Sequence, residues 1–232
     1  MRLTRELADL CFRVVPESNI ASAYDYFTEA DYPSALEHLL SSRPAGPVWL
    51  FAYGSLMWKP EVEAVEQRHT LVRDWHRGFS MKIESHRATP EQPGYMMCLD
   101  PGGSCEGVVL RLAEDNTSGQ IMKLLRREVG STEALDAVRW IPCETDAGTV
   151  QALTFYAKPD QLDIYKPDTP VSEIVHALAR ACGYWGSGAD YLRNTVERLE
   201  SLAIHDEGLW LLQDLVAAEI ETIYGIGASP KV

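Results

Sequence analysis

Short apolar runs bounded by glycine and proline recur through the middle of the chain, and they restrict the fold more than any other feature. Residues 48–53 form the first run, between Pro47 and Gly54. Residues 79–83 alternate between apolar and smaller or polar side chains, which is the period of a half-buried strand. Further strands are predicted at residues 69–75, 95–99, 107–112, 137–143 and 149–156. Regular short strands with turn signals favour a small barrel or a curled sheet.

Two sequences predict where these strands turn. The sequence DPGGS, at residues 100–104, indicates a turn between the strands at 95–99 and 107–112. The sequence DAG, at residues 146–148, indicates a hairpin between the next two strands. We therefore expect each strand in this region to be short.

Patterns typical of amphipathic helices lie on both sides of the strands. Apolar residues at helical spacing predict a helix over residues 3–14, and Pro33 opens a second helix that runs to about Leu40. Another helix interrupts the strands, with residues 116–118 as its cap and Gly130 at its end. The last third of the chain is helical, with helices predicted over residues 171–182, 189–203 and 207–223.

These elements predict an α+β fold in which a sheet or barrel comes first and helices pack on it. The sequence SSRPAGP, at residues 41–47, consists of helix breakers and small residues and is typical of a linker. We therefore expect a helical N-terminal extension over residues 1–46 and a main domain over 47–224. Residues 225–232 would form a C-terminal tail.

The charge of the chain disfavours several classes of partner. Acidic residues exceed basic ones by 34 to 21, which gives a formal net charge of −13. Such a surface repels phosphate backbones and anionic lipid, so we expect neither nucleic-acid nor membrane binding. There is also no apolar run of roughly 20 residues to span a membrane, and the N-terminus is too charged for a signal-peptide core. Nothing in the sequence indicates an oligomeric state.

The cysteines and histidines indicate neither disulfides nor a metal. The five cysteines form no C-x-x-C pair, so reduced thiols and a cytoplasmic location are expected. The six histidines show no metal-ligand spacing, so no metal site is predicted.

Glu128 is the strongest candidate for catalysis. It lies seven positions after Ile121 and three after Leu125, which places its carboxylate on the apolar stripe of the predicted helix. Burial and the negative end of the helix dipole both disfavour ionisation, so we expect a raised pKa that suits general acid–base chemistry. A purely structural alternative is an ion pair with Arg126, Arg127 or Arg139, or an exposed position at a frayed helix end.

A glycine-containing turn closes the first apolar strand and is the second candidate. Consecutive backbone N–H groups in the turn formed by Tyr53, Gly54, Ser55 and Leu56 can bind an anion or a developing oxyanion. The alternative is an ordinary corner between a strand and a loop.

Two loops supply further candidates. The loop over residues 85–94 contains two prolines and a glycine, and its Arg87 is suited to clamping a carboxylate. Its His86 is not part of a triad signature, because no G-x-S-x-G elbow exists in the chain. Tyr165 lies in a proline-bearing loop, where it either closes over a site or simply packs. A solvated loop is the alternative for residues 85–94.

Taken together, these stretches resemble the ChaC-like γ-glutamylcyclotransferases. The match covers roughly residues 47–224, and its specificity comes from the order of the motifs rather than from any one of them. The motifs are VWLFAYGSLMWKPE (48–61), SHRATPEQPG (85–94), CEGVVLRL (105–112), LLRREVG (124–130), DIYKPDTPVSEIV (163–175) and GADYLRNTVERLESLAIHDEGLW (188–210).

The resemblance implies a compact mixed barrel that cleaves the γ-glutamyl bond of glutathione, a small-molecule substrate, without a cofactor. It implies that Glu128 is the acid–base residue and that Tyr165 binds the substrate. The substrate-holding turn of the family falls on Tyr53 to Leu56 and extends to Met57. Since glutathione is an anion, we also expect a basic pocket, with Arg87, Arg73 and Arg139 as candidates.

Two other functions stay open on the sequence. One is a non-catalytic module of the same fold that binds γ-glutamyl compounds, because a fold does not guarantee activity. The other is a cyclotransferase that acts on a different γ-glutamyl amine or peptide. A carboxylate on the apolar face at Glu128 favours catalysis over binding alone.

Overall fold

The computed structural model describes residues 1–17 and 26–226 of the chain. Along the chain, the helices and strands are α1 (Arg5–Leu10), α2 (Tyr32–Ser41), β1 (Trp49–Ala52), β2 (Ala64–Ile83), β3 (Gly94–Leu112), α3 (Thr117–Glu128), α4 (Thr132–Leu135), β4 (Arg139–Thr145), β5 (Gly148–Thr154), α5 (Val171–Leu178), β6 (Cys182–Gly183), β7 (Gly186–Ser187), α6 (Gly188–Ser201) and α7 (Glu207–Tyr224).

The described residues form two compact units, each assembled from separate stretches of chain. The barrel unit consists of the described residues within Ala21–Gly78 and Cys98–Tyr165. The helical unit consists of those within Met1–Ile20, Phe79–Met97 and Lys166–Val232. The candidate acid–base residue and the glycine turn both fall in the barrel unit.

Five strands form a closed barrel in the order β1-β3-β2-β4-β5. Strand β1 runs antiparallel to β3 and parallel to β5, so Trp49 lies opposite both Arg111 and Ala152. All four residues of β1 are buried, as expected for a continuous apolar run. Strands β4 and β5 form the predicted hairpin, in which Thr145 pairs with Gly148. The mixed barrel and the α+β class are confirmed.

Buried apolar side chains of helix α3 and of the strands make up the core of the barrel unit. Ile121, Leu124 and Leu125 form the buried stripe of this helix. Other fully buried side chains come from the strands and the segment after β5, and include Leu50, Phe51, Leu99, Leu112, Leu153 and Phe155. Helix α2 packs on α3.

In the helical unit, helix α1 packs on α6 and α7, and α5 packs on α7. Ser187 caps α6 by accepting a hydrogen bond from the Asp190 N–H at 3.1 Å. Asp206 caps α7 in the same way, accepting from the Leu209 N–H at 3.0 Å. No helix among the described residues is long and apolar enough to cross a membrane.

Several predicted boundaries are wrong. The two short strands predicted at 69–75 and 79–83 are one strand, β2, and those predicted at 95–99 and 107–112 are one strand, β3. Gly102 and Gly103 adopt positive φ angles of 94° and 70° inside β3. Glycine takes these angles without strain, so the chain bends there while strand pairing continues. The DPGGS sequence is therefore a bend in a strand and not a turn.

The helices differ from prediction mainly at their ends. Helix α1 is shorter than predicted, and Val14, beyond its end, is 90% exposed. Helix α5 ends at Leu178, because the chain then enters the β6–β7 hairpin, which the helical pattern did not reveal. The short helix α4 was also not predicted.

The predicted division into an extension, a main domain and a tail stays a prediction. Of the extension, helix α1 belongs to the helical unit and α2 to the barrel unit, while residues 18–25 lie outside the described residues. Helix α7 ends at Tyr224, where Gly225 adopts a left-handed φ of 65°. Residues 227–232 of the predicted tail also lie outside the described residues.

Candidate active site

Glu128 is the last residue of helix α3, and only 15% of its side chain is exposed. Burial raises its pKa to about 6, while the nearby Arg127 lowers the pKa and Glu61 raises it. The sequence therefore predicted both the burial and the direction of the shift correctly. A carboxyl group with this pKa exchanges protons readily near neutral pH, as general acid–base chemistry requires.

The contact between Glu128 and Arg127 is ionic. Arg127 Nε lies 2.9 Å from Glu128 Oε1. The geometry of this contact is not that of a hydrogen bond, and the buried Oε1 accepts no hydrogen bond from any described residue. The ion pair considered as an alternative thus exists, and the same oxygen, Oε1, has no hydrogen bond from a described residue and can accept a proton.

The glycine turn follows strand β1 directly. Ser55–Met57 form one turn of 3₁₀ helix, in which the Met57 N–H donates to the Gly54 carbonyl at 2.9 Å. Among the described residues, nothing accepts a hydrogen bond from the amide N–H groups of Gly54, Ser55 or Leu56. Consecutive unused donors of this kind can bind a carboxylate or an oxyanion.

Tyr53 anchors this turn to the barrel at two points. Its hydroxyl donates to the Phe155 carbonyl at 2.9 Å. Its own carbonyl accepts from Arg77 Nη1 at 2.7 Å, and Arg77 Nη2 donates to the Glu106 carbonyl. Tyr53 is buried, so these bonds are shielded from water. The structure assigns Tyr53 an anchoring contact, and its predicted role in substrate binding stays a prediction.

Arg127 joins the turn to Glu128. Its Nη2 donates to Ser55 Oγ at 3.1 Å, and its Nη1 donates to the Lys59 carbonyl. Its Nε faces Glu128, as described above, and 16% of its side chain is exposed. The two strongest candidates from the sequence therefore lie in one place, separated by a single guanidinium group.

Two tyrosines satisfy the carbonyls at the end of helix α3. The Tyr156 hydroxyl donates to the Glu128 carbonyl, and the Tyr32 hydroxyl donates to the Val129 carbonyl at 3.1 Å. Burial raises the pKa of Tyr156, so this hydroxyl keeps its proton. These bonds fix the backbone that carries the acid–base candidate.

Tyr165 and Arg87, the other two residues predicted to bind substrate, belong to different units. In the barrel unit, the Tyr165 hydroxyl donates to the buried Asp100 carboxylate at 2.8 Å. In the helical unit, Arg87 Nη1 donates to the Ser187 carbonyl at 3.1 Å, and its guanidinium lies over the ring of Tyr191. The substrate-binding roles of Tyr165 and Arg87 stay predictions.

All three arginines expected in a basic pocket have other partners, those of Arg87 being the ones just described. Arg73 is 64% exposed in its side chain and binds Glu144 at the surface, with a distance of 2.7 Å. Arg139 Nε donates to the Ala157 carbonyl at 3.0 Å. The arginines beside the turn are instead Arg127 and Arg77. Within residues 1–17 and 26–226, no three His, Cys, Asp or Glu side chains are grouped to hold a metal ion.

Sequence reasoning did not single out Arg77, Tyr156 or Asp100. Each acts through a contact across the barrel, and no local motif marks such a contact. Arg127 entered only as a possible ion-pair partner. Its position between the glutamate and the turn could have been suspected only from the LLRREVG motif itself.

The fold is that of a solved enzyme. A crystal structure of a γ-glutamyl cyclotransferase specific to glutathione from yeast superposes with a TM-score of 0.64 at 18% sequence identity. The match covers 75% of this chain and all of the yeast chain. The barrel with its packed helices is therefore a γ-glutamylcyclotransferase fold.

The sequence comparisons give the family. The model of the ChaC-like proteins matches residues 48–219, and this chain belongs to that family. It is 36% identical to the glutathione-specific gamma-glutamylcyclotransferase of Escherichia coli over 178 residues, which is 76% of each chain. It is 26% identical to glutathione-specific gamma-glutamylcyclotransferase 1 of Homo sapiens, over 73% of this chain and 78% of the human one.

Proposed function

We propose that this protein is a γ-glutamylcyclotransferase that cleaves glutathione to 5-oxoproline and cysteinylglycine, with Glu128 as its general acid and base. Family membership and the names of its relatives support the reaction. One observation supports the role of Glu128 most directly: its buried Oε1 accepts no hydrogen bond from a described residue. This carboxylate lies near a turn in which the N–H groups of Gly54, Ser55 and Leu56 donate to no described residue.

The reaction is an internal aminolysis. The α-amino nitrogen of the γ-glutamyl group attacks its own γ-carbonyl carbon, a five-membered lactam forms, and the bond to the cysteinyl nitrogen breaks. Because nucleophile and electrophile belong to one molecule, the site mainly has to hold them in attack geometry. Orientation of this kind can supply about 7–11 kcal/mol in ideal cases.

Glu128 would carry the protons from one nitrogen to the other. The attacking ammonium group starts with three protons and ends as a lactam nitrogen with one. The departing amide nitrogen starts with one proton and leaves as an ammonium group with three. Two protons are thus transferred, and a carboxylate with a pKa of about 6 can accept and return each one.

The turn would stabilise the negative charge of the substrate. The N–H groups of Gly54, Ser55 and Leu56 are placed in series, which suits either the α-carboxylate or the γ-oxygen as it gains charge. Met57, at the end of the same turn, is buried and supports its shape. We assign Tyr165 and Arg87 to substrate binding on the resemblance of their motifs to the family.

The variant Glu128→Gln tests the proposed function. It keeps the size of the side chain and removes its basicity, so we expect kcat/KM for glutathione to fall by about 10²–10⁴-fold. The measurement is the release of 5-oxoproline and cysteinylglycine, with circular dichroism to verify folding. Glu114→Gln, at a largely exposed site just before the same helix, is the control and should keep wild-type activity.

A panel of γ-glutamyl amines and peptides tests the substrate. If glutathione is the substrate, its kcat/KM should exceed that of the other compounds. Preference for another γ-glutamyl compound would keep the chemistry and change the substrate. Binding of glutathione without any turnover would support a binding module instead.

The buried, reduced state of all five cysteines is compatible with the proposed cytoplasmic location.

A further inference from the structure

We propose that Arg127 is a positioning residue that holds the Gly54–Met57 turn and the Glu128 carboxylate in one fixed arrangement. This inference rests on the proposed function of Glu128. Arg127 would act through its two neighbours, by fixing where the turn presents its N–H groups and by adjusting how strongly Glu128 binds a proton.

Each of the three guanidinium nitrogens of Arg127 contacts a different partner. Nε faces Glu128 at 2.9 Å, Nη2 donates to Ser55 Oγ at 3.1 Å, and Nη1 donates to the Lys59 carbonyl. Ser55 begins the 3₁₀ turn and Lys59 follows its end, so Arg127 forms hydrogen bonds at both ends of the turn. The planar guanidinium spreads its donors over three nitrogens in a fixed fork, whereas the three donors of a lysine ammonium all lie on one nitrogen.

The charges around Glu128 make Arg127 its main electrostatic partner. Glu61 Oε1 lies 4.0 Å from Arg127 Nη1 and opposes ionisation of Glu128. The ammonium of Lys59 is mostly exposed and pairs with Glu61 at 3.2 Å. Tyr156 contacts the Glu128 backbone carbonyl and not its carboxylate. Without Arg127, burial and Glu61 would both favour the protonated form of Glu128.

The helix offers a matched control in the adjacent arginine. Arg126 is 47% exposed in its side chain; it binds Glu29 at 2.8 Å and lies over the ring of Tyr32, and none of its contacts with described residues is to the Glu128 side chain or the turn. Arg126→Gln therefore makes the same chemical change one residue away. A general effect of losing a positive charge from helix α3 would appear in both variants, and a positioning effect only in the variants of Arg127.

The experiment measures kcat and KM for glutathione between pH 5 and 9 in the wild type and in Arg127→Gln, Arg127→Lys, Arg126→Gln and Glu128→Gln. In Arg127→Gln we expect KM to rise about 10-fold and the acidic limb of kcat/KM to move up by about 1–2 pH units. In Arg127→Lys we expect the same rise in KM with the acidic limb near its wild-type position, because the charge remains. Arg126→Gln should change neither quantity.

The outcomes separate this inference from the proposed function. Turnover near the wild-type rate in Glu128→Gln would refute the proposed function itself. An inactive Glu128→Gln together with wild-type KM and an unmoved acidic limb in Arg127→Gln would refute only the positioning role. If Arg127→Gln does not fold, Arg127→Lys decides, since an unchanged KM in that variant overturns the claim that the fork holds the turn.

Discussion

Arg77 and Tyr53 are 24 residues apart in the chain, and Arg77 Nη1 donates a hydrogen bond to the Tyr53 carbonyl at 2.7 Å. Arg77 lies on strand β2 and is almost fully buried. Its second donor group reaches the Glu106 carbonyl on strand β3. The buried cation thus holds Tyr53, the residue before the Gly54–Met57 turn, while Arg127 contacts the turn itself.

Replacing Arg77 should destabilise the protein. In Arg77→Met, the buried carbonyl of Tyr53 and the partly buried carbonyl of Glu106 lose their donor, so we expect the free energy of unfolding to fall by about 2–4 kcal/mol. Urea denaturation measures this loss. Arg73→Met, on the same strand but with an exposed ion pair to Glu144, should cost at most about 1 kcal/mol. Equal losses in the two variants would show that burial of Arg77 is not what matters.

The raised pKa of Glu128 makes the stability of the protein depend on pH. A carboxyl group whose pKa rises on folding stabilises the folded state fully below its ordinary value of 4.5, and this contribution is lost as pH rises through about 6. The cost of ionising Glu128 reaches about 2 kcal/mol above that pH. Glutamine cannot ionise, so Glu128→Gln does not lose this stability. The difference in free energy of unfolding, variant minus wild type, should therefore increase by about 2 kcal/mol from pH 4 to pH 8. Denaturation at both pH values measures the gain, and a constant difference between the two proteins would contradict it.

Gly107 should not tolerate a side chain. A Cβ atom there would lie 2.6 Å from the Ala52 carbonyl oxygen and 2.8 Å from the ring of Phe51. Because Ala52 belongs to the strand that leads into the turn, Gly107→Ala should lower the free energy of unfolding by about 1–3 kcal/mol and raise KM. In Gly208→Ala, the nearest contact of the new Cβ is an ordinary 3.4 Å, so stability should stay constant or increase slightly. Thermal unfolding of both variants gives the comparison.

The five cysteines should be unreactive in the folded protein. All five are buried and free, and burial raises the pKa of Cys11 to about 11 and that of Cys143 to about 12. Thiolates are the reactive form, so a thiol reagent at pH 8 should modify the native protein slowly and all five thiols after unfolding. Cyclotransferase activity should survive this treatment. Rapid inactivation with one equivalent of reagent would instead indicate a thiol mechanism.

Local patterns predicted much of the fold. Helix α3, the β4–β5 hairpin and the helices after residue 170 follow from periodicity and turn residues, which act within a few positions of the chain. Strand β3 was predicted as two shorter strands because Gly102 and Gly103, which lie within it, are also typical of turns. Whether such residues end a strand or bend it depends on the neighbouring strand, and that neighbour is distant in the sequence.

The residues of the candidate site also differ in whether a local sequence pattern marks them. Glu128 and the turn after β1 carry local signals, namely a carboxylate on an apolar stripe and a glycine after a buried strand. Arg77 and Tyr156 carry none, because their contacts with Tyr53 and Glu128 exist only once the barrel is closed. The residues that hold the site in place were therefore beyond prediction, while those proposed to do the chemistry were not.

The bond from the Tyr53 hydroxyl to the Phe155 carbonyl has a consequence for biosynthesis. The two residues are 102 positions apart, and strand β1 also needs β5 as its parallel neighbour. A ribosome that adds about 5–20 residues per second needs about 5–20 s to make the intervening chain. Throughout that time, the nascent Tyr53 turn lacks this anchor, and the apolar segment WLFA lacks one of the two strands that cover its edges in the barrel.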